Sequence, residues 1–385
     1  MEKIIYMDYA ASTPTDRRVV TAMLPYFDKY YGNSSSLHDL GARSAEALEQ
    51  SRKTIAEMIN AEPREVIFTS SATESNNTAL KGVAFANREK GSHILISSIE
   101  HDCVLESSGW LARQGFEIEK LPVDRYGLVD PKEVADRIRP DTILVSVMHA
   151  NNEMGTIEPI ADIASICRER GVYFHTDAAQ SFGKMPIDVK KLDVDLLTAS
   201  SQKIYGPKGA ALLYVRKGTR IDPLLHGGGH EFGLRSSTSN IPAIVGFAKA
   251  AEICIEEMDR EDLRLSTLRD KLIRSVKDKI PKVHLNGHPT KRLANNINLR
   301  FDGIEGESIV MMLNHHGIEA ATGSACSSKN LQPSHVLLAM GIPPEKVHGS
   351  LRLSLGRWTT EEEVDKVIEV LPAVIERLRS FSPIK

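Results

Sequence analysis

Three segments of the sequence combine residue types that could bind and activate a small ligand. In the first, residues 66–77 (VIFTSSATESNN), a predicted strand leads into a helix whose first turn is rich in hydroxyl groups. The free backbone N–H groups of such a helix N-terminus can bind phosphate. The alternative is an ordinary helix start, because Ser71 and Glu74 have the spacing of a capping box.

The second and third segments each place one charged side chain after an apolar strand. Asp177 lies just beyond the carboxyl end of such a strand, where open α/β sheets bind ligands, and could hold a cationic nitrogen there. A helix cap or a solvated turn is the simpler interpretation. Lys203 follows another apolar strand and precedes a Gly-Pro turn. A lysine packed against a core can attack carbonyl groups, whereas a lysine that extends to the surface has no such role.

A fourth segment, residues 323–328 (GSACSS), places Cys326 among small residues, where an exposed thiol would be a candidate nucleophile. The other three cysteines, Cys103, Cys167 and Cys254, lie in helical patterns, and we expect them to be buried. Four cysteines without C-x-x-C spacing predict neither a disulfide framework nor a structural zinc site.

Histidines give a weaker signal than the lysine and the cysteine. Residues 226–230 (HGGGH) have i, i+4 spacing, but three glycines prevent the stable helix that a helical metal pair needs. His101 lies two residues beyond a predicted strand and is the best-placed histidine for chemistry.

Length, composition and charge restrict the class of protein. The 385 residues correspond to two or three domains, and 41% apolar residues are enough for a sizeable core. A net charge of −3, from 48 basic and 51 acidic residues, gives no reason to expect a nucleic-acid partner. No signal peptide or membrane-spanning run is predicted, so we expect a protein of the reducing cytoplasm.

Strands and helices alternate through the first two thirds of the chain. This order predicts an α/β domain with a mostly parallel sheet, covered on both faces. The predicted strands are residues 66–69, 93–98, 117–122, 142–149, 172–176, 194–199 and 210–215. The predicted helices are residues 75–87, 103–114, 131–138 and 159–170.

The pattern changes near residue 255, where we predict a smaller α+β domain. The predicted division is a large domain of residues 12–255 and a small domain of residues 256–385 with 1–11. Thr360 and Glu363 have the spacing of a capping box at the start of the last helix. The predicted elements of this part are helices 241–258, 261–279, 307–315 and 361–378, and strands 295–301 and 351–355.

Taken in order along the chain, the motifs resemble one family. A phosphate-binding turn, then an aspartate and a lysine after strands, resemble the layout of a pyridoxal 5′-phosphate (PLP) enzyme. The chain resembles the cysteine desulfurases of the NifS/IscS type, in the class-V aminotransferase family of the aspartate-aminotransferase-like superfamily. The resemblance implies the type I PLP-dependent transferase fold. The matching stretches are residues 7–14 (MDYAASTP), 69–77 (TSSATESNN), 100–101 (EH), 148–155 (MHANNEMG), 176–180 (TDAAQ), 203–209 (KIYGPKG), 226–231 (HGGGHE), 235–238 (RSST), 323–326 (GSAC) and 352–357 (RLSLGR).

The resemblance also implies a catalytic set. Lys203 would carry PLP as a Schiff base, and His101 would stack on the ring as an acid or base. Asp177 would keep the pyridine nitrogen protonated, and Gln180 would contact the ring hydroxyl. Cys326 would be the nucleophile that accepts sulfur.

Further contacts to phosphate and substrate follow from the same resemblance. Gln202 replaces the histidine that the family commonly has before the lysine, and its amide N–H can still donate to phosphate. Residues 33–38 (NSSSLH) lack a proline of the family pattern, which loosens a turn. The expected phosphate contacts are Ala72, Thr73, Ser200, Gln202 and, from the neighbouring subunit of a homodimer, Thr238. The expected contacts to the substrate carboxylate are Asn152, which is also a cofactor contact, and Arg352.

The implied reaction removes sulfur from L-cysteine, which leaves L-alanine and a persulfide on Cys326. A mobile loop would then carry the sulfur to an iron–sulfur scaffold protein of the IscU type, or to tRNA-thiolation proteins. With such a scaffold, Cys326 would also be a ligand of a shared [2Fe-2S] cluster.

Two alternatives remain open at the level of the sequence. One is a PLP enzyme of other specificity, such as an aminotransferase or a selenocysteine lyase, although an aminotransferase needs no thiol. The other is a non-catalytic scaffold or sulfur carrier, which only Gln202 favours, because Lys203, Asp177 and His101 are all retained.

Overall fold

The computed structural model describes residues 4–323 and 333–382. In chain order its strands are β1 (Ile5–Tyr6), β2 (Val66–Thr69), β3 (His93–Ser97), β4 (Glu117–Leu121), β5 (Thr142–Ser146), β6 (Tyr173–Asp177), β7 (Leu196–Ser200), β8 (Ala211–Val215), β9 (Val283–Leu285), β10 (Asn296–Phe301), β11 (Ile318–Glu319) and β12 (Ser350–Ser354). Its α-helices are α1 (Arg17–Met23), α2 (Pro25–Asp28), α3 (Asp39–Met58), α4 (Ala72–Ala86), α5 (Asp102–Arg113), α6 (Pro131–Arg137), α7 (Ile160–Arg170), α8 (Val189–Leu192), α9 (Ile241–Lys279), α10 (Gly306–His315), α11 (His335–Ala339), α12 (Pro344–Val347) and α13 (Glu361–Phe381). Short 3₁₀ helices lie at Pro63–Glu65, Ser201–Lys203 and Glu231–Gly233.

The large sheet has seven strands in the order β2-β8-β7-β6-β5-β3-β4. All neighbouring pairs from β7 to β4 are parallel, and β8 is antiparallel to both β2 and β7. Every residue of β3, β5, β7 and β8 is buried, because helices cover both faces of the sheet. The prediction of a mostly parallel α/β sheet is therefore confirmed.

A second, three-stranded antiparallel sheet has the order β12-β10-β9, and β1 pairs in parallel with β11. Met7 near the N-terminus packs in one apolar cluster with Leu299, Leu353 and Val367 from the C-terminal third. Helix α13 begins with the predicted capping box of Thr360 and Glu363. No helix within residues 4–323 and 333–382 is long and apolar enough to cross a membrane.

One prediction about the helices is wrong. Residues 241–258 and 261–279 do not form two helices but the single 39-residue helix α9. Neither glycine nor proline interrupts the chain between Met258 and Glu261, and the polar residues there are compatible with a helix on the surface. The predicted division after residue 255 falls inside this helix, and the two-domain description stays a prediction.

Candidate active site

The predicted site residues meet in one cleft of about 270 Å³ at the carboxyl ends of the parallel strands. Asp177 is the last residue of β6, and Ser200 is the last residue of β7. Lys203 ends the 3₁₀ turn that follows β7, and His101 precedes α5. The predicted residues that line the cleft are Ala72, Thr73, His101, Asn152, Asp177, Gln180, Ser200, Gln202, Lys203 and Arg352.

The Asp177 carboxylate is buried and held by two donors. Its Oδ2 accepts a hydrogen bond of 2.6 Å from Asn76 Nδ2, and its Oδ1 accepts one of 2.8 Å from the backbone N–H of Ala179. The two donors use both carboxylate oxygens and fix the orientation of the group. Asp177 can therefore hold a cationic nitrogen, as the sequence predicts, and Asn76 is a supporting residue that sequence reasoning missed.

The Lys203 amine and the Gln180 amide meet at the N-terminal segment of the chain. Lys203 Nζ donates to the carbonyl oxygens of Ala10 and Ala11 over 2.5 and 2.7 Å. Gln180 Nε2 donates to the Ala10 carbonyl over 3.0 Å. The backbone carbonyl of Gln202 accepts from the Thr13 hydroxyl over 2.7 Å, so the turn that carries Lys203 is fixed to residues 10–13.

The first turn of α4 opens into the same cleft. Ser71 is the N-cap, and its Oγ accepts from the backbone N–H of Glu74 over 3.1 Å. The reciprocal half of the expected capping box is absent, because the Glu74 carboxylate accepts from the backbone N–H of Ser70 over 2.9 Å and pairs with Arg235 at 2.7 Å. The N-terminus of α4 thus lines the cleft, and phosphate binding there stays a prediction.

The prediction that Cys103 is buried in the core is wrong. Cys167 and Cys254 are buried in helices, as expected, but Cys103 is half-buried and lines the cleft. Its Sγ lies 3.1 Å from His101 Nδ1 and 3.0 Å from Asn76 Nδ2. The difference arises because Cys103 is in the first turn of α5, where it packs against the apolar cluster of α4 and α5 on one side and lines the cleft on the other.

Arg352 lies across the cleft on β12 and is almost completely buried. Its Nη2 pairs with Asp8 at 2.8 Å, and its Nη1 donates to the backbone carbonyls of Asn152 and Gly323 over 3.0 and 3.3 Å. Its buried Nε has no acceptor among the residues that the structure describes. A guanidinium with an unused buried N–H is suited to a carboxylate ligand.

Three further residues near the cleft were missed by sequence reasoning, although Glu100 and Glu153 lie inside quoted motifs. Burial raises the pKa of Glu100 to about 8, with hydrogen bonds from Ser97 and the Met148 N–H acting in the opposite direction. Burial also raises the pKa of Glu153, whose carboxyl group accepts from Ser334 over 2.6 Å. His335 Nε2 lies 2.9 Å from the backbone carbonyl of Glu100.

Two predicted residues are not among those that the cleft brings together. Thr238 is exposed and does not line the cleft, so its predicted role depends on a neighbouring subunit. Cys326 lies outside the described residues. Gly323, the first residue of the motif that contains Cys326, is described and lines the cleft. No cluster of three or more potential metal ligands occurs in residues 4–323 and 333–382.

The donor set fits PLP. A helix N-terminus suits the phosphate, the buried Asp177 carboxylate suits the pyridine nitrogen, and the Lys203 amine suits the aldehyde. These three groups lie on different elements around one cleft, so a single bound molecule can contact them all.

Comparison with known proteins also indicates a PLP-dependent family. A family model described as aminotransferase class-V matches residues 5–367. Cysteine desulfurase IscS of Methanosarcina thermophila is 54% identical over 99% of this chain and 94% of that protein. Cysteine desulfurase IscS 1 of Archaeoglobus fulgidus is 55% identical over 98% of this chain and 99% of that protein.

Solved structures agree with these relatives. A NifS-like protein superposes with a TM-score of 0.92 at 36% identity, over 98% of this chain and 100% of that chain. SspA in complex with cysteine superposes with a TM-score of 0.82 at 36% identity, over 92% of this chain and 100% of that chain. The chain therefore belongs to the PLP-dependent class-V aminotransferase family, among the cysteine desulfurases of the NifS/IscS type.

Proposed function

We propose that the protein is a PLP-dependent cysteine desulfurase that converts L-cysteine to L-alanine and leaves a persulfide on Cys326. The observation that carries the proposal is the convergence of the Lys203 amine, the Asp177 carboxylate and the Arg352 guanidinium on one cleft. The names of the relatives and the cysteine complex of SspA support the same substrate.

The proposal assigns a role to each side chain that would contact the cofactor ring. PLP, when bound, supplies an electron-accepting ring. Asp177 holds the proton on the pyridine nitrogen, which keeps that ring able to accept electrons. Lys203 anchors the cofactor and then takes the Cα proton of the substrate at its Nζ, while His101 exchanges protons as an acid or base. Gln180 donates to the ring hydroxyl.

The phosphate and the substrate are held from opposite sides of the cleft. Ala72, Thr73, Ser200 and Gln202 surround the end of the cleft formed by α4 and β7, where the phosphate binds. Arg352, with Asn152 beside it, binds the substrate carboxylate through its unused Nε–H and its fork of N–H groups.

Sulfur transfer uses Cys326. Its thiolate attacks the substrate sulfur, a new S–S bond forms, and the C–S bond breaks with its electron pair on the carbon. That carbon, the Cβ, takes up a proton, and Lys203 Nζ returns a proton to Cα, so the products are L-alanine and one persulfide on Cys326. Gly323, three positions before Cys326 in the sequence, lies beside Arg352, whose Nη1 donates to its carbonyl oxygen over 3.3 Å.

The remaining parts of the proposal concern partners. A homodimer would place Thr238 of one subunit at the phosphate of the other. An iron–sulfur scaffold protein would take the sulfur in the reducing cytoplasm, and Cys326 would also serve as a ligand of a shared [2Fe-2S] cluster. The exposed position of Thr238 supports the first of these statements.

The test is an assay of the purified holoenzyme with L-cysteine and a thiol reductant. Sulfide and L-alanine in equal amounts are expected. 3-Mercaptopyruvate, with an amino acid formed from an added keto acid, would identify an aminotransferase, and activity on L-selenocysteine without activity on L-cysteine would identify a selenocysteine lyase. Either result would contradict the proposal, as would a protein that binds no PLP.

A further inference from the structure

A chain of hydrogen bonds connects Asp177 to His101 through two residues that have no role in the proposed function. Asn76, in α4, places its Nδ2 2.6 Å from Asp177 Oδ2 and 3.0 Å from the sulfur of Cys103. Cys103, in α5, places that sulfur 3.1 Å from His101 Nδ1. Asn76 is completely buried, so water does not compete for its contacts.

The direction of the hydrogen bonds at Asn76 follows from the charge on its neighbour. An amide nitrogen carries two protons and only donates, whereas the amide oxygen only accepts. With the amide reversed, its oxygen would lie 2.6 Å from the Asp177 carboxylate, and no proton would lie between the two acceptors. Asn76 therefore donates one N–H to Asp177 and the other to the Cys103 sulfur.

The direction at His101 follows from the backbone. The backbone N–H of Cys103 donates to His101 Nδ1 over 3.2 Å. If Nδ1 carried a proton, two N–H groups would face each other, so a thiolate–imidazolium pair conflicts with this contact. The Cys103 sulfur, which accepts from Asn76, donates its own proton to the same Nδ1, so the thiol and the backbone N–H share the single lone pair of that nitrogen. Neutral His101 consequently carries its proton on Nε2.

We propose that Asn76 and Cys103 are positioning residues that hold His101 in the Nε2–H tautomer and link it to the Asp177 carboxylate. The proposal rests on the proposed function only for the roles of His101 and Asp177, because the tautomer is a property of the polypeptide. Glu100 precedes His101, and the charge of His101 acts to lower the Glu100 pKa against the larger effect of burial. The other titratable or charged groups around His101 in the cleft are Asp102, Glu153, Asp177, Lys203, His335 and Arg352.

The first test reads the tautomer directly in the apoprotein by ¹⁵N NMR of labelled histidine, with His101→Gln to assign the signal. Wild type and Cys103→Ser should both show the Nε2–H tautomer, because a hydroxyl also donates. Cys103→Ala should raise the ratio of Nδ1–H to Nε2–H by about fivefold, the effect of one ordinary hydrogen bond. Cys167→Ala, a buried cysteine in α7, is the matched control and should change nothing.

An Nδ1–H tautomer in the wild type, or an unchanged ratio in Cys103→Ala, would overturn the proposal. A second measurement uses the rate at which iodoacetamide modifies Cys103 in the apoprotein. A donating thiol reacts slowly at pH 6 and faster as the pH rises, whereas a thiolate paired with imidazolium would react rapidly at pH 6 and contradict the proposal. Neither measurement requires turnover, so a failure of desulfurase activity is distinguishable from a failure of this inference.

Discussion

Lys203 is the residue on which covalent binding of the cofactor depends. Lys203→Ala should lose the visible absorption of the purified enzyme and all turnover, because no other amine in the described cleft can take its place. Mass spectrometry after borohydride reduction should find the cofactor on Lys203 in the wild type. Lys208→Ala, which removes an exposed lysine of the same motif, is the control. A cofactor attached to Lys208 would refute the assignment.

Glu100 gives a second prediction at the residue scale. Burial raises its pKa to about 8 from an ordinary value of 4.5, so the folded protein keeps the acid neutral. The unfolded chain releases this proton first as the pH rises. The stabilising contribution is therefore complete below about pH 4.5 and is lost as the pH rises towards 8.

Glu100→Gln mimics the neutral acid and should remove this loss. Urea unfolding at pH 5 and pH 8 should show that the variant gains stability relative to the wild type at the higher pH. If the free energies of unfolding of the variant and the wild type differ by the same amount at both pH values, Glu100 is ionised in the folded protein.

The sequence predicted the charged residues of the site better than the neighbouring residues that hold them in place. Lys203, Asp177 and Arg352 each belong to a motif of the family, so their roles could be predicted from the order of the motifs. Asn76 and Cys103 act through contacts between α4, α5 and β6, which no spacing along the chain reveals. Helical periodicity predicts a buried face but does not indicate that the first turn of α5 faces a cleft.

At the scale of elements, a buried ion pair between Arg52 and Glu231 holds two parts of the chain together. Arg52 belongs to α3, and Glu231 belongs to the segment that precedes Thr238 and also contacts β2. The Arg52 guanidinium donates to both oxygens of Glu231, over 2.7 and 2.9 Å, and Glu231 also accepts from the Phe68 N–H over 2.8 Å. Arg52 is only 2% exposed, so water cannot replace a lost partner.

Glu231→Ala should therefore lower the free energy of unfolding by about 3 kcal/mol, the lower end of the cost of breaking a buried ion pair, because the buried Arg52 guanidinium keeps only the exposed Glu49 carboxylate at 3.2 Å and the Val66 carbonyl at 2.7 Å. The control is Glu117→Ala, which breaks an equally close pair with Arg139 on the surface and should have little measurable effect. Denaturant unfolding measures the free energy of unfolding of both variants and of the wild type. Equal stabilities of the two variants would mean that burial of the Arg52 pair has no energetic consequence.

The same pair explains why α3 could not be predicted. The buried face of this helix carries Ser44, Ser51, Arg52 and Thr54 between the apolar Leu48, Ile55 and Ala56, so polar side chains interrupt its apolar stripe. Helix α9 shows the opposite case, since its polar middle resembled a boundary between two helices but contains nothing that breaks a helix. The strands of the large sheet were predicted to within a few residues, because burial on both faces makes strands such as β3, β5 and β8 nearly continuously apolar; β4, at the edge, alternates polar and apolar residues instead.

At the scale of the whole molecule, two buried histidines limit stability in acid, His175 in β6 and His149 shortly after β5. Burial lowers the pKa of His149 to about 4 and that of His175 to about 3, from an ordinary value of 6.5. The unfolded chain therefore binds protons first as the pH falls. The stability that depends on neutral histidines is complete above about pH 6.5 and is lost as the pH falls towards 4 and 3.

His175→Gln should weaken this dependence, because a glutamine can keep polar contacts to Ser146 and Thr198 without taking up a proton. The variant should lose less stability than the wild type between pH 7 and pH 5 in urea unfolding. Parallel losses for the two proteins would show that His175 does not contribute to acid sensitivity. The exposed His226 gives a control variant, His226→Gln, which should follow the wild type.

The most direct test of the central claim is a single turnover with ³⁵S-labelled L-cysteine and no reductant, followed by peptide mapping. One equivalent of L-alanine and one labelled persulfide on the peptide that contains Cys326 are expected. Cys326→Ala should bind PLP and L-cysteine but form neither product, because no thiolate remains to attack the substrate sulfur. Label on Cys103, Cys167 or Cys254 in the wild type, or normal turnover by Cys326→Ala, would contradict the mechanism.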